Sequence, residues 1–328
     1  MPTNLPPECL EIEERYRAAE SIGEKIACLE ELLAAIPKHK GTDRLRADYR
    51  RKLSQLKADS KAKKGVARRD SPFRIEREGA GQIAVIGPPN VGKSALVAAL
   101  TNAAAEVSAS PFTTRIPIPG MMPIDDIQVQ LVDTPPLCRD YAEPELPDLI
   151  RRSDLILLVV DLQTEPVEQL NATVALLEEH GLVPRRGGGG KSEAQGIVSK
   201  PILVLANKAD AEDSDELFEV FRLLLEEEWP MLSVSAMTGR NLEKLKRVVF
   251  EMLGIIRVYS KPPGKRPDLS APFILKKGST VEELASRVHR DFLDKLTAAK
   301  VWGSAQFPGQ MVARDYVLQD GDTVELRI

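Results

Sequence analysis

Eight residues constrain this chain more than anything else in it. Gly87-Pro88-Pro89-Asn90-Val91-Gly92-Lys93-Ser94 fit the spacing G-x-x-x-x-G-K-[ST]. They stand directly after a short apolar run, Ile83 to Ile86, that reads as a strand. Directly after them, Lys93 to about Ala104 reads as a helix, which is the context such a loop requires. Glycines let backbone N–H groups curl around phosphates at a helix N-terminus, where the dipole also favours negative charge. Gly87 to Ala95 is therefore expected to form a nucleotide-binding loop, with Pro88, Pro89, Asn90, Val91, Gly92 and Ala95 contributing backbone. Lys93 would reach the β- and γ-phosphates, and the Ser94 hydroxyl would ligate Mg²⁺. The alternative is a chance glycine-rich turn, and the flanking strand and helix weigh against it.

The base is addressed further along. Gln128 to Val132, Leu155 to Val160, Ile202 to Ala206 and Leu232 to Ser235 are short apolar runs, and helical patterns fall between them at Val167 to Glu179 and Glu216 to Glu228. A helix over Asn241 to Leu253 closes the set. Strands alternating with helices predict a mostly parallel sheet covered on both faces. At the end of the fourth run stands Asn207-Lys208-Ala209-Asp210. The Asp210 carboxylate can accept both N–H groups of the guanine Watson–Crick edge, whereas adenine would leave it unpaired at a cost of roughly 1–3 kcal/mol. The Lys208 stem can lie over the base, and Ser235-Ala236-Met237 after the fifth run completes the pocket. A P-loop kinase acting on a small molecule is the competing enzyme, and it has no need of this guanine pocket.

The other segments carry less chemistry. With 328 residues, 43% hydrophobic and 29% charged, the chain can bury two or three cores. No run of about 18 apolar residues and no signal pattern is present, which predicts a cytoplasmic protein away from membranes. Cys9, Cys28 and Cys138 are too scattered for a disulfide framework, and His39, His180 and His289 lack ligand spacing. The first 75 residues read as a helical segment: Leu10, Ile12 and Tyr16, then Ile26, Leu29, Leu33 and Ile36, then a third helix from Thr42 with Leu45, Tyr49, Leu53 and Leu56 on one side. That third helix is basic, and Lys38 to Arg69 holds 13 Lys or Arg against 3 Asp within a chain of net charge −4. Arg46, Arg50, Arg51, Lys57, Lys61 and Lys64 are available for phosphates, with a plain solvated face as the alternative. Ser60 to Pro72 suits a linker, and Arg185 to Lys200 a surface loop. After a Pro/Gly-rich junction, Arg257 to Ile328 reads as a small α+β module with a helix near Val281 to Leu296 and a strand over Val317 to Ile328.

Taken together, these residues resemble the developmentally regulated GTP-binding protein family, within the Obg-like group of translation-factor-class GTPases. The stretch Ile36-Pro37-Lys38-His39-Lys40-Gly41-Thr42, the nucleotide motifs, and a tail with Val301-Trp302-Gly303-Ser304 and Phe307-Pro308-Gly309-Gln310 carry the resemblance. It implies an α/β P-loop GTPase domain over 80–254, an N-terminal helical segment over 1–75, and a C-terminal TGS domain (ubiquitin-like, β-grasp) over 257–328. It implies GTP and GDP as ligands with Mg²⁺, and action on ribosomes or RNA rather than DNA, with an activating protein partner left open. Pro111-Phe112-Thr113-Thr114 matches the family's switch I, so Thr114, in preference to Thr113, would offer its hydroxyl to Mg²⁺ and its N–H to the γ-phosphate. Asp133-Thr134-Pro135-Pro136 sits where the family has D-x-P-G, placing Asp133 in the Mg²⁺ shell. Pro136 is the departure, because proline has no N–H to give a γ-phosphate. Leu137 follows where a water-orienting glutamine would stand in other GTPases. Both predict slow hydrolysis, or a binding adaptor that has lost hydrolysis. In related GTPases an asparagine at the place of Asn90 helps bind a monovalent cation such as K⁺; its amide stabilising the loop is the alternative.

Overall fold

The computed structural model describes residues 12, 15–16, 22–36, 46–55, 71–101, 116–139, 143–185, 198–289 and 296–327. Cys9, His39, the start of the third helix at Thr42, Lys57, Lys61, Lys64, residues 60–70 of the polar linker, residues 186–197 of the expected surface loop and the switch I residues Pro111 to Thr114 lie outside them. The chain divides into two compact units, Met1–Arg74 and Ile75–Ile328.

In the first unit, helix α1 (Ile22–Ala35) and the helical stretch 46–55 bury Cys28, Leu29, Leu32, Ile36 and Tyr49 together with Ile12. Leu29, Leu32 and Ile36 recur at i, i+3 and i+7, which puts them on one stripe. Arg46 departs from the sequence expectation. It is only 8% exposed and donates to the Ile36 carbonyl at 2.6 Å. A carbonyl at a helix end lacks an intrahelical partner, so the guanidinium is occupied by the fold and unavailable to phosphates. Arg50 and Arg51 remain exposed.

The second unit begins with a seven-stranded sheet in the order β2-β3-β1-β4-β6-β5, with β7 also on β6. Its strands are β1 (Gln82–Ile86), β2 (Ile118–Ile124), β3 (Ile127–Asp133), β4 (Leu155–Asp161), β5 (Leu182–Arg185), β6 (Val198–Asn207) and β7 (Met231–Ser233). Only β2 runs antiparallel, to β3 through the two-residue turn Asp125-Asp126. Every residue of β1 and β4 is buried, as continuous apolar runs covered on both faces must be. The helices are α2 (Lys93–Leu100), α3 (Leu146–Arg152), α4 (Pro166–Glu179), α5 (Ser214–Leu224) and α6 (Leu242–Leu253). None of the described helices is long and apolar enough to cross a membrane.

Two strands escape sequence reading for one reason. β2 carries Pro119, Gly120 and Pro123, and β5 carries Pro184. Proline cannot donate to a ladder and is confined to edges, and both strands are edges here. Gly120 also sits where a Cβ would come within 2.9 Å of Thr101 Cγ2. The helix expected over Glu216 to Glu228 is shorter, ending at Leu224.

The chain then builds a five-stranded sheet in the order β11-β10-β12-β8-β9. These strands are β8 (Ile255–Ser260), β9 (Asp268–Lys276), β10 (Ala298–Trp302), β11 (Gln310–Val312) and β12 (Asp322–Arg327). β8 and β12 are parallel and the other pairs antiparallel, a β-grasp with helix α7 (Val281–Val288) across it. Thr280 caps α7 by accepting from the Glu283 N–H, a capping-box spacing. The final strand is narrower than Val317 to Ile328 because residues 319–321 form the turn that leads into it.

Side chains from β8, α7, β10 and β12 form their own core around Ile256, Val258, Leu284, Val301 and Val324. Ile255, one residue before Ile256, belongs instead to the core of the larger sheet. Arg257 joins the two sheets by charge. Its guanidinium meets Asp125 and Asp126 of the β2–β3 turn at 3.0 Å each and Asp320 at 2.8 Å. It also lies over the Phe250 ring, and Tyr259 donates to Asp126 at 2.6 Å.

Candidate nucleotide site

The carboxyl ends of β1, β3, β4 and β6 deliver Gly87, Asp133, Asp161 and Asn207 to the same edge of the sheet, where open α/β sheets bind ligands. Gly87 must be glycine, since its φ is +147° and a Cβ would lie 2.3 Å from the Val159 carbonyl oxygen. Gly92, at φ +87°, precedes α2, and a Cβ there would lie 2.4 Å from Asn207 Nδ2. Asn90 also has positive φ, +63°, and is exposed at the loop tip; Asn is among the few side-chain-bearing types that tolerate this conformation.

Lys93 is buried and donates to the carbonyls of Gly87 and Pro88 at 3.0 and 2.9 Å. Burial lowers its pKa to about 8, opposed by the nearby Asp133 carboxylate. Ser94 Oγ donates to Asp133 Oδ2 at 2.6 Å. A hydroxyl and a carboxylate converging on one point are the hard oxygen ligands that Mg²⁺ prefers when phosphates supply the rest. Among the described residues no group of three or more His, Cys, Asp or Glu converges as a metal site. Thr134 donates to the Val85 carbonyl at 2.7 Å, and the Leu137 N–H donates to the Gly87 carbonyl at 3.1 Å. The segment after Asp133 is thereby tied back onto the phosphate loop. Pro136 is buried within it, and Leu137 is 5% exposed.

Asn207 bridges the two halves of the site. Its Nδ2 donates to the Val91 carbonyl at 2.8 Å and its Oδ1 accepts from the Ala236 N–H at 3.2 Å. Ser235 is fully buried; its Oγ donates to Asp210 Oδ1 and accepts from the Thr238 N–H. Asp210 is thus oriented from behind. Met237 is 80% exposed. Residues 111–114 are not described, so Thr114 is not placed.

Sequence reading missed two participants. Asp161, at the end of β4, binds Lys208 Nζ at 2.5 Å, and Gln163 Nε2 donates to the Lys208 carbonyl at 3.0 Å. Together they hold Lys208, which itself adopts φ +64°. The only available signal was a carboxylate closing an apolar strand.

Comparison with known proteins agrees with this geometry. Residues 82–187 match a family described as a 50S ribosome-binding GTPase, and residues 256–328 match the TGS domain. An uncharacterized GTP-binding protein of Methanocaldococcus jannaschii, MJ1326, is 30% identical, the alignment covering 94% of this chain and 93% of that one. Human developmentally-regulated GTP-binding protein 2 is 24% identical over 92% of this chain and 98% of its own length. Among solved structures, the Schizosaccharomyces pombe YchF GTPase superimposes with a TM-score of 0.52 at 12% identity, over 77% of this chain and 99% of that one, a likeness of fold.

Proposed function

The chain belongs to the developmentally regulated GTP-binding protein family of P-loop GTPases, and from that premise we propose that it is a Mg²⁺-dependent switch with slow intrinsic hydrolysis, acting in the cytoplasm on ribosomes or RNA. The observation that carries the nucleotide reading is the Asn207 bridge, which holds the phosphate loop and the Ser235–Ala236 loop at fixed separation. One side of that bridge offers amides and the Lys93 ammonium to a triphosphate. The other offers Asp210, aimed by Ser235, to the guanine edge, while Lys208 is held by Asp161 to flank the base.

In this reading Gly87 to Ala95, Asn207, Lys208, Asp210 and Ser235 to Met237 bind nucleotide, and Ser94, Asp133 and Thr114 would hold Mg²⁺. Bound Mg²⁺ neutralises charge building up on the phosphates. Lys93 positions and stabilises the same charge, and water is the nucleophile. Slow turnover follows from what surrounds that water. Pro136 has no N–H, the Leu137 N–H is already engaged by Gly87, and the Leu137 side chain has no group to orient water. Asn90 as a K⁺ ligand would supply a positive charge at the loop, and its exposure supports that role. The ribosome enters because the matched family bears that description, and Arg50 and Arg51 offer exposed cations for RNA phosphates. A second reading, a GTP-binding adaptor without hydrolysis, is favoured by Pro136 alone.

Calorimetry with GTP, GDP and ATP tests the pocket: guanine nucleotides bind and ATP does not, and Asp210→Asn shifts preference toward XTP. An unchanged preference removes the guanine assignment. Multiple-turnover phosphate release in KCl or NaCl, with and without ribosomes, separates a slow switch from an adaptor. Rapid release by the isolated chain refutes slow hydrolysis, and equal rates in the two salts refute the K⁺ role.

A further inference from the structure

Two apolar grooves flank α4: the first borders the phosphate loop at Pro88 and Leu137, and the second holds none of the residues assigned to the nucleotide. The first, of about 780 Å³, runs between α4 and the segment after Asp133, past Pro88, Leu137, Cys138, Ala172 and Leu176. The second, of about 630 Å³, lies between α4 and α5 and is floored by Leu162, Val167, Leu217, Val220, Phe221 and Leu224. Thr164, Glu165, Glu168 and Ala172 line both, so the grooves meet at the first turns of α4.

α5 leaves this surface open. Phe221 is buried, but Leu217, Val220 and Leu224 are 41%, 52% and 63% exposed. They stand at i, i+3 and i+7, a single stripe along about 10 Å of helix. Scattered exposed leucines need no explanation, whereas a contiguous stripe above an apolar groove marks an interaction surface.

Its rim is acidic. Asp213 and Glu216 stand beside the α5 stripe, each four residues before one of its members, and residues 226–228 are all Glu. The nearby cations are already engaged: Arg222 with Glu219, Arg240 with Asp215 and Arg139 with Glu179. At the meeting of the grooves Glu165 and Glu168 crowd each other. A hydrogen bond from Glu165, followed by its charge, holds the Glu168 carboxyl above its ordinary value. Two carboxylates in this position gain from a cation between them. Such a rim repels nucleic acid.

We propose that the α4–α5 surface docks a basic amphipathic helix of a protein partner. Its apolar face would lie on Leu217, Val220 and Leu224, and a Lys or Arg would sit between Glu165 and Glu168. This is the helix-in-groove mode, with charge complementarity setting the kind of partner. The surface is separate from the nucleotide pocket, so binding is measured on the nucleotide-free chain and stands or falls independently of the guanine assignment.

The test uses three synthetic peptides of about 18 residues, long enough for the α5 stripe: a Leu/Lys amphipathic helix, a Leu/Glu helix with the same apolar face, and a scrambled Leu/Lys sequence. Fluorescence titration against the full chain is expected to show binding of the first alone. Leu217→Ser/Val220→Ser/Leu224→Ser should weaken it by roughly tenfold or more, and Glu165→Gln/Glu168→Gln should weaken it and flatten its salt dependence. Thermal melts check that both variants remain folded, which the exposure of these side chains leads one to expect. Equal binding of the Leu/Glu or scrambled peptide, or undiminished binding by the triple serine variant, overturns the proposal. So does a dimer in sedimentation that dissociates in the triple variant, which would assign the stripe to a second copy of the chain.

Discussion

Replacing Asn207 by aspartate changes one NH₂ into an oxygen with no change of shape, which makes it a clean probe of the bridge. One carboxylate oxygen keeps the Ala236 N–H. The other faces the Val91 carbonyl oxygen at the 2.8 Å now filled by a donated hydrogen bond. The side chain is 2% exposed, so water cannot screen the clash. A hydrogen bond is lost and a buried charge is left uncompensated, so Asn207→Asp should destabilise the nucleotide-free protein by about 3–5 kcal/mol at pH 7. The sign with pH follows. Burial raises the folded-state pKa of the new carboxyl above its unfolded value of about 3.9. The penalty is therefore full above the folded pKa and fades as pH falls. Below about 3.9 the protonated group donates to Val91 and the defect is largely repaired. Urea unfolding of wild type and variant in parallel between pH 7 and 4 reads the difference, with equal m-values certifying the comparison. A loss below about 1 kcal/mol at pH 7, or one that does not change with pH, would refute the reasoning.

Three further outcomes are expected. Gly92→Ala forces a side chain into φ +87° and into contact with Asn207; it should cost about 1–3 kcal/mol in urea unfolding and abolish nucleotide binding by calorimetry. Lys93 has a folded pKa of about 8, below the roughly 10.4 of the unfolded chain. The stability of wild type relative to Lys93→Met should thus be flat below pH 8 and rise from there to about pH 10.4, and a difference that falls over that window contradicts the burial argument. Arg257→Ala strands Asp125, Asp126 and Asp320 at once and should cost about 2–3 kcal/mol in thermal or urea unfolding, less than a fully buried pair because the site is partly solvated. Arg257→Lys should recover only part, since an ammonium lacks the planar fork that reaches all three.

The phosphate loop was legible in the sequence because its chemistry demands glycine, lysine and a hydroxyl at fixed spacing, and because a buried parallel strand is a continuous apolar run. The same logic failed at β2 and β5. Their prolines argue against strands unless the strand is known to be an edge, and edge position belongs to the assembled sheet. Arg46 misled for a related reason: its charge suggested a solvent-facing helix, while the free carbonyl of Ile36 that recruits it exists only after the first unit closes. Asp161 and Gln163 hold Lys208 from 47 and 45 residues away, and Arg257 reaches Asp126 across 131. No local pattern records such pairings. Periodicity named the strands and the loop; three-dimensional closure assigned the partners that orient them.

The passage from α6 into β8 has a practical corollary for anyone wishing to cut this molecule. Gly254 turns the chain in a left-handed conformation, and the next two residues are sewn into different interiors, Ile255 into one and Ile256 into the other. There is no slack between them to serve as a swivel. A fragment trimmed at Gly254 would leave an unfilled socket beneath α6, and a transplanted C-terminal module would have to bring a matching first strand. Grafts that respect the seam should include Ile255 on the side of the larger sheet, whatever the outline of the smaller one suggests.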